Sequence, residues 1–181
     1  MAAPTFVKSY SITDARIAPL TGETPGALID LPGIRSIEVT LATDSTELRG
    51  DNTVIAVANL GQTLEFQAEA GGISFDAYKT MTGKNYTDTG TTPAITRTMH
   101  FGGSDDRPYF YLVGVAPADD GVGSLELHVY KAKLTGNVQF GFKDGEFMTP
   151  GFTGKGVPRT ADGRLFTLAA KETASTPTVI A

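Results

Sequence analysis

Few residues in this chain have the type and spacing to do chemistry. His100 and His128 are its two histidines, the side chains whose charge changes near neutrality. Neither has a second His or a Cys at metal-ligand spacing. His100 reads as part of a Thr-rich strand, and His128 as a residue on the wet face of the run at 125–129, so both read as surface or interface residues. Asp105-Asp106 and Asp119-Asp120 offer hard oxygen ligands of the kind calcium takes, but each pair sits beside turn residues, where carboxylates serve the turn itself. The serines have no Gly-x-Ser-x-Gly context, and no Gly-rich loop opens a helix to cradle phosphate. Nothing singles out a carboxylate pair for glycoside hydrolysis. With no Cys in the chain, thiol nucleophiles, thiolate metal sites and disulfides are excluded. The expectation is a protein that is not an enzyme and uses no metal or cofactor.

The elements that must carry these residues read as strands. The run at 36–41 alternates, with Ile37, Val39 and Leu41 on one face and Ser36, Glu38 and Thr40 on the other. Runs at 64–70, 125–129 and 138–142 repeat the pattern, the pattern of antiparallel sheets with one buried face. Two runs, 54–58 and 109–113, are apolar on both faces; each reads as an interior strand, or as one covered by sandwich packing and a neighbour. Turn residues fall between the apolar runs, at Gly50-Asp51-Asn52, Asp119-Asp120-Gly121, Thr135-Gly136-Asn137, Asp144-Gly145 and Asp162-Gly163. The expected fold is all-β, mainly antiparallel, a β-sandwich or barrel of ten to twelve strands with one short flanking α-helix.

That helix is specified locally. Ser74 caps its start, Asp76 suits its first turn, and Gly83 ends it in the left-handed conformation. Ile73 and Tyr78 have the spacing of a hydrophobic staple, and Phe75, Tyr78 and Met81 share one face. Segments 19–33 and 82–94 read as long loops, and 171–181 as a flexible arm.

The 181 residues fit a single domain, 1–181, with flexible arms at about 1–6 and 171–181. The start shows no basic residue followed by an apolar run, and no run approaches the roughly 20 apolar residues of a membrane span. A soluble, non-exported protein that needs no membrane is expected. The formal charge of −5 divides into −3, −4 and +2 over residues 1–60, 61–120 and 121–181. The first two thirds therefore lack the basic patch that grips nucleic acid, and an acidic face there would repel a passing polyanion.

Sheet edges favour assembly. A strand-rich domain must close, cover its edges or pair them with another chain. The strands at 37–41 and 64–70 contain neither Pro nor Lys, so edge pairing between copies, with head-to-tail contact between rings, would satisfy them.

The order of these elements resembles one family. The strand at 37–41, the connection Leu48-Arg49-Gly50-Asp51-Asn52, the strand pair over 54–70 and the helix at 74–82 carry the likeness. So do Leu125-Glu126-Leu127-His128-Val129-Tyr130-Lys131-Ala132-Lys133-Leu134, Asp144-Gly145-Glu146-Phe147 and Gly163-Arg164-Leu165-Phe166. Over about residues 7–170 the pattern is similar to the major tail proteins (tail tube proteins) of long-tailed, siphophage-type bacteriophages. The resemblance implies hexameric rings stacked into a tube for DNA ejection, in a virion tail assembled in the bacterial host cytoplasm. It also implies tape-measure, tail terminator and distal tail proteins as partners, with DNA in transient, non-specific passage. Gene transfer agents and tailed bacteriocins use similar tubes. On this reading Glu38, Glu65, Gln67 and Glu69 face the lumen, and the loop carrying Asp44, Glu47, Arg49, Asp51 and Asn52 joins successive rings. The alternative is a carbohydrate- or peptide-binding sandwich with Tyr109, Phe110 and Tyr111 as its platform, though consecutive strand residues point to opposite faces.

Overall fold

In the computed structural model, residues 8–9, 11–72, 74–102, 106–119, 121–174 and 176–180 are described. Among them are eleven strands and one helix: β1 (Asp14–Thr21), β2 (Thr24–Pro25), β3 (Ile29–Asp30), β4 (Ile34–Gly50), β5 (Thr53–Ala70), α1 (Phe75–Thr82), β6 (Tyr86–Thr89), β7 (Thr96–Met99), β8 (Phe110–Pro117), β9 (Ser124–Gln139), β10 (Gly151–Gly156) and β11 (Phe166–Lys171). All pairings between these strands are antiparallel. The large sheet runs β2-β1-β8-β9-β10-β5-β4, with β3 added to β1 and β11 to β9, and β6–β7 form a separate hairpin. The all-β, sandwich-like expectation with one helix is what the chain forms.

The sheet folds over so that its two ends share a core. Ala15 and Ile17 of β1, Phe110 and Leu112 of β8 and Val129 of β9 meet Leu64, Phe66 and Ala68 of β5 and Phe152 of β10. Ile37 and Val39 of β4 pack on the same cluster. Phe66 and Phe110 touch edge to face across it, centroids 6.0 Å apart, a favoured aromatic geometry. Helix α1 adds Ala77, Tyr78 and Met81 to this core. Its ends follow the local signals: Ser74 Oγ accepts the Ala77 amide at 3.3 Å, and Gly83 is left-handed at φ 72°. The staple contact assigned to Ile73 lies outside the described residues.

Strand β9 corrects one turn. Thr135-Gly136-Asn137 does not reverse the chain; β9 runs through it to Gln139, and 140–142 leave the sheet. Gly136 serves close approach instead of a turn, since a Cβ there would collide with the Thr153 side chain of β10. A bulge also falls in β9, where Phe110 and Leu112 of β8 face Ala132 and Val129. The extra residue switches parity. Before it Val129 points into the main core; after it Ala132 and Leu134 do.

Both long loops are more regular than expected. Segment 19–33 folds into the end of β1, a turn, and strands β2 and β3, while 82–94 supplies β6, half of a hairpin. Their Thr, Pro and polar residues hide the strands because neither hairpin contributes a two-residue apolar period. Lys171 belongs to β11, and in the arm that follows Pro177 is buried. The arm at 1–6 lies outside the described residues.

Candidate functional site

Two features of β4 and β5 stand out. Over 34–41 and 64–70 the two strands belong to the sandwich, and β10 pairs the second edge of β5 there. Beyond that, β4 and β5 continue as a two-stranded arm paired only with each other among the described residues. Residues 42–49 and 51–59 are all exposed. At about 3.3 Å per residue the arm reaches roughly 30 Å from the body.

The arm has defined geometry. Asp51 and Asn52 form its tip at φ 49° and 65°; two positive φ values in a two-residue turn match the right-handed twist of a hairpin. Thr53 Oγ1 donates to the Gly50 carbonyl at 3.0 Å. Ladder irregularities at Asp44/Ser45 and Leu48/Arg49 leave Leu60 and Ile55 as extra residues in β5, which bends and twists the ribbon. Gly61, at φ 143°, supplies backbone freedom beside the first.

The expected inter-ring loop is therefore corrected. Asp44, Glu47 and Arg49 lie on β4, and only Asp51 and Asn52 occupy a turn. Alternating charged and apolar residues sustain a ladder even without a core beneath it. Glu47 and Arg49, two apart on one face, form an ion pair with Nη2···Oε2 at 2.8 Å. Val57 stands opposite Glu47, Val54 opposite Arg49, and Leu48 faces Ala56 on the other side.

The run at 54–58 is not an interior strand of the isolated subunit. Val54, Ile55 and Val57 are 46%, 66% and 60% exposed, and Leu48 is 62% exposed. By contrast, the other two-faced run is interior: Phe110, Tyr111, Leu112 and Val113 are fully buried. Tyr109 is half-buried, its ring 5.2 Å from each of the Lys131 and Lys133 ammoniums. That strand presents no three-ring platform.

A second apolar surface lies between α1, the β6–β7 hairpin and 140–148. Phe101, Phe140 and Phe142 flank Phe75, Tyr78, Met99 and Met148 there, with Phe142 90% exposed. Arg97 packs over Tyr86 at 4.3 Å and pairs with Asp88 at 2.7 Å.

The four residues assigned to an acidic face are brought together. Register sets Glu38 against Gln67, and Glu69 lies beside it on β5, with Glu65 two residues the other way. Glu38, Glu65 and Gln67 are exposed and Glu69 half-buried. Strand β10 adds a cation the strand pattern did not foresee: Lys155, opposite Glu65, pairs with it at 3.0 Å. Glu38, Thr40, Glu65, Gln67, Thr135, Thr153 and Lys155 rim a shallow hollow of about 300 Å³.

His128 is also corrected. It is fully buried, as is Glu126. The alternation assigned its face correctly, but that face carries a second, smaller core of Ala18, Tyr111, Val113 and Tyr130 beside it. Residues after β10 close over it. Arg159 sits 5.0 Å above the Tyr130 ring, and Tyr130 and Thr167 share a hydroxyl hydrogen bond at 2.7 Å. His100 follows β7 and is exposed. Of the two aspartate pairs, Asp105 and Asp120 lie outside the described residues, and Asp106 pairs with Lys133 at 2.9 Å. Among the described residues no three His, Cys, Asp or Glu side chains gather as metal ligands, and no helix is long and apolar enough to cross a membrane.

No protein-family model and no curated protein matches this chain, so the functional reading rests on the geometry above.

Proposed function

We propose that this protein is a structural subunit that joins copies of itself into rings and stacks the rings into a tail tube for DNA passage. The observation that carries this reading is the β4–β5 arm. It holds Leu48, Val54, Ile55 and Val57 in water on a ribbon whose edges have no partner among the described residues. Full burial of one such side chain stabilises by roughly 1.5–3 kcal/mol, and unpaired ladder groups template a further strand. Another copy of the chain recovers both terms.

The arm and the aromatic surface around Phe140 and Phe142 differ in shape and composition, as head-to-tail contacts require. On the same reading Glu38, Glu65, Gln67 and Glu69 line the bore. Three carboxylates meet the Lys155 ammonium there, and Lys133, next to Lys155 in register, is paired with Asp106, so that face stays net negative, which keeps phosphates from adhering. Tape-measure, terminator and distal tail proteins are the partners this reading requires, and the virion tail is its location.

Negative-stain microscopy of the concentrated protein tests the proposal. Rings or tubes are the expected result; uniform monomers at every concentration would overturn it.

A further inference from the structure

A directed chain of hydrogen bonds runs through the second core and ends on the C-terminal strap at 176–180. The Ile180 amide donates to the Tyr111 hydroxyl at 3.2 Å, and that hydroxyl lies 2.6 Å from His128 Nδ1. His128 Nε2 lies 3.1 Å from Glu126 Oε2, and Lys171 Nζ meets Glu126 Oε1 at 2.6 Å. Tyr111, His128 and Glu126 are fully buried. The chain has one consistent polarity. With the Ile180 amide donating to the Tyr111 oxygen, we assign the hydroxyl hydrogen to Nδ1 and the imidazole proton to Nε2, where it is donated to the carboxylate.

We propose that the strap is a pH-sensitive latch, held while His128 is neutral and released when His128 takes up a proton. A phenolic O–H lies in the plane of its ring and has two positions. With Nδ1 an acceptor, the hydrogen faces the imidazole and the lone pairs of the oxygen are left to receive the Ile180 amide. Once Nδ1 carries a proton it donates to the Tyr111 oxygen, the hydroxyl hydrogen turns away from the imidazole, and both compete with the Ile180 N–H for the space and lone pairs of that oxygen. The hydrogen bond that ties Ile180 of the strap to Tyr111 is lost, and a half-buried donor loses its acceptor.

The charges around the imidazole reinforce this. Burial disfavours the imidazolium and lowers the His128 pKa; the Glu126 carboxylate opposes that shift, and the Lys171 ammonium adds to it. Lys171 already engages Glu126 from β11, Arg159 and Tyr130 flank the Tyr111 hydroxyl, and burial pushes that phenol up to about 12. Tyr111 therefore stays protonated through the relevant range, and His128 is the group that switches. The docked strap favours neutral His128, so docking is complete above the ordinary histidine value of 6.5 and weakens as pH falls below it. One linked proton changes the docked-to-free ratio at most about tenfold per pH unit. The inference is independent of the tube reading, since it concerns contacts within one chain.

Hydrogen exchange at the Ile180 amide between pH 8 and pH 5, normalised to the intrinsic rate at each pH, tests it. Protection should fall with pH below about 6.5 in the native protein, show no pH dependence in His128→Gln, and be lost at every pH in Tyr111→Phe. Constant protection in the native protein, or the same fall in His128→Gln, would overturn the latch. Ring nitrogen shifts of native His128 give a second measurement that needs no variant: the Nε2–H tautomer at pH 8 is required, and the Nδ1–H tautomer refutes the proposal.

Discussion

The Glu23 carboxylate shows how single residues tie the outer layer of this protein together. It accepts the Thr160 amide at 2.9 and 3.1 Å and the Thr160 hydroxyl at 2.8 Å, with Lys131 at 3.3 Å. The Thr160 backbone amide is the largest cause that holds its pKa down to about 2, from an ordinary 4.5. A carboxylate depressed on folding stabilises above its unfolded value, and that contribution disappears as pH falls through the folded one. Thermal midpoints should therefore fall between pH 4.5 and 2, and Glu23→Gln should flatten that limb; an unchanged acid limb would refute the assignment. Such ties were hidden in the sequence because Thr160 and Glu23 lie 137 positions apart. His128 was hidden for a related reason. Alternation gave its face, but only the fold reveals that residues after β10 and the strap cover that face. A faint signal existed in Glu126, His128 and Tyr130, polar or amphipathic groups at period two beside a two-faced apolar strand.

Elements were legible where local chemistry decides them. Ser74 and Gly83 bracket α1 as their side-chain and backbone preferences dictate, and Asp51-Asn52 turns the chain between β4 and β5. The rest of the arm was obscured because its residues carry a ladder without a core. Asp44, Glu47 and Arg49 look like loop residues when no buried face is imagined beneath them, and Val54, Ile55 and Val57 look interior for the opposite reason. Paired strands reconcile the two, and among the described residues nothing covers their apolar side chains. Ile55→Asp with Val57→Asp should leave the monomer's thermal midpoint nearly unchanged, since exposed substitutions cost within about 0.5 kcal/mol each. The same pair should abolish higher-order species in sedimentation velocity. Assembly matching the native protein would show that the arm is not the joining surface.

The described residues form a folded-over antiparallel sheet around one main core, and among them nothing covers the arm, the outer edge of β4 or the aromatic surface near Phe142. If copies join through those surfaces, hydrogen exchange of the arm amides at low and high protein concentration will register it. Amides within 42–62 should gain protection as concentration rises, while those of β8, already buried, should not change. Identical exchange across the arm at every concentration, including samples in which the protein has self-associated, would contradict it.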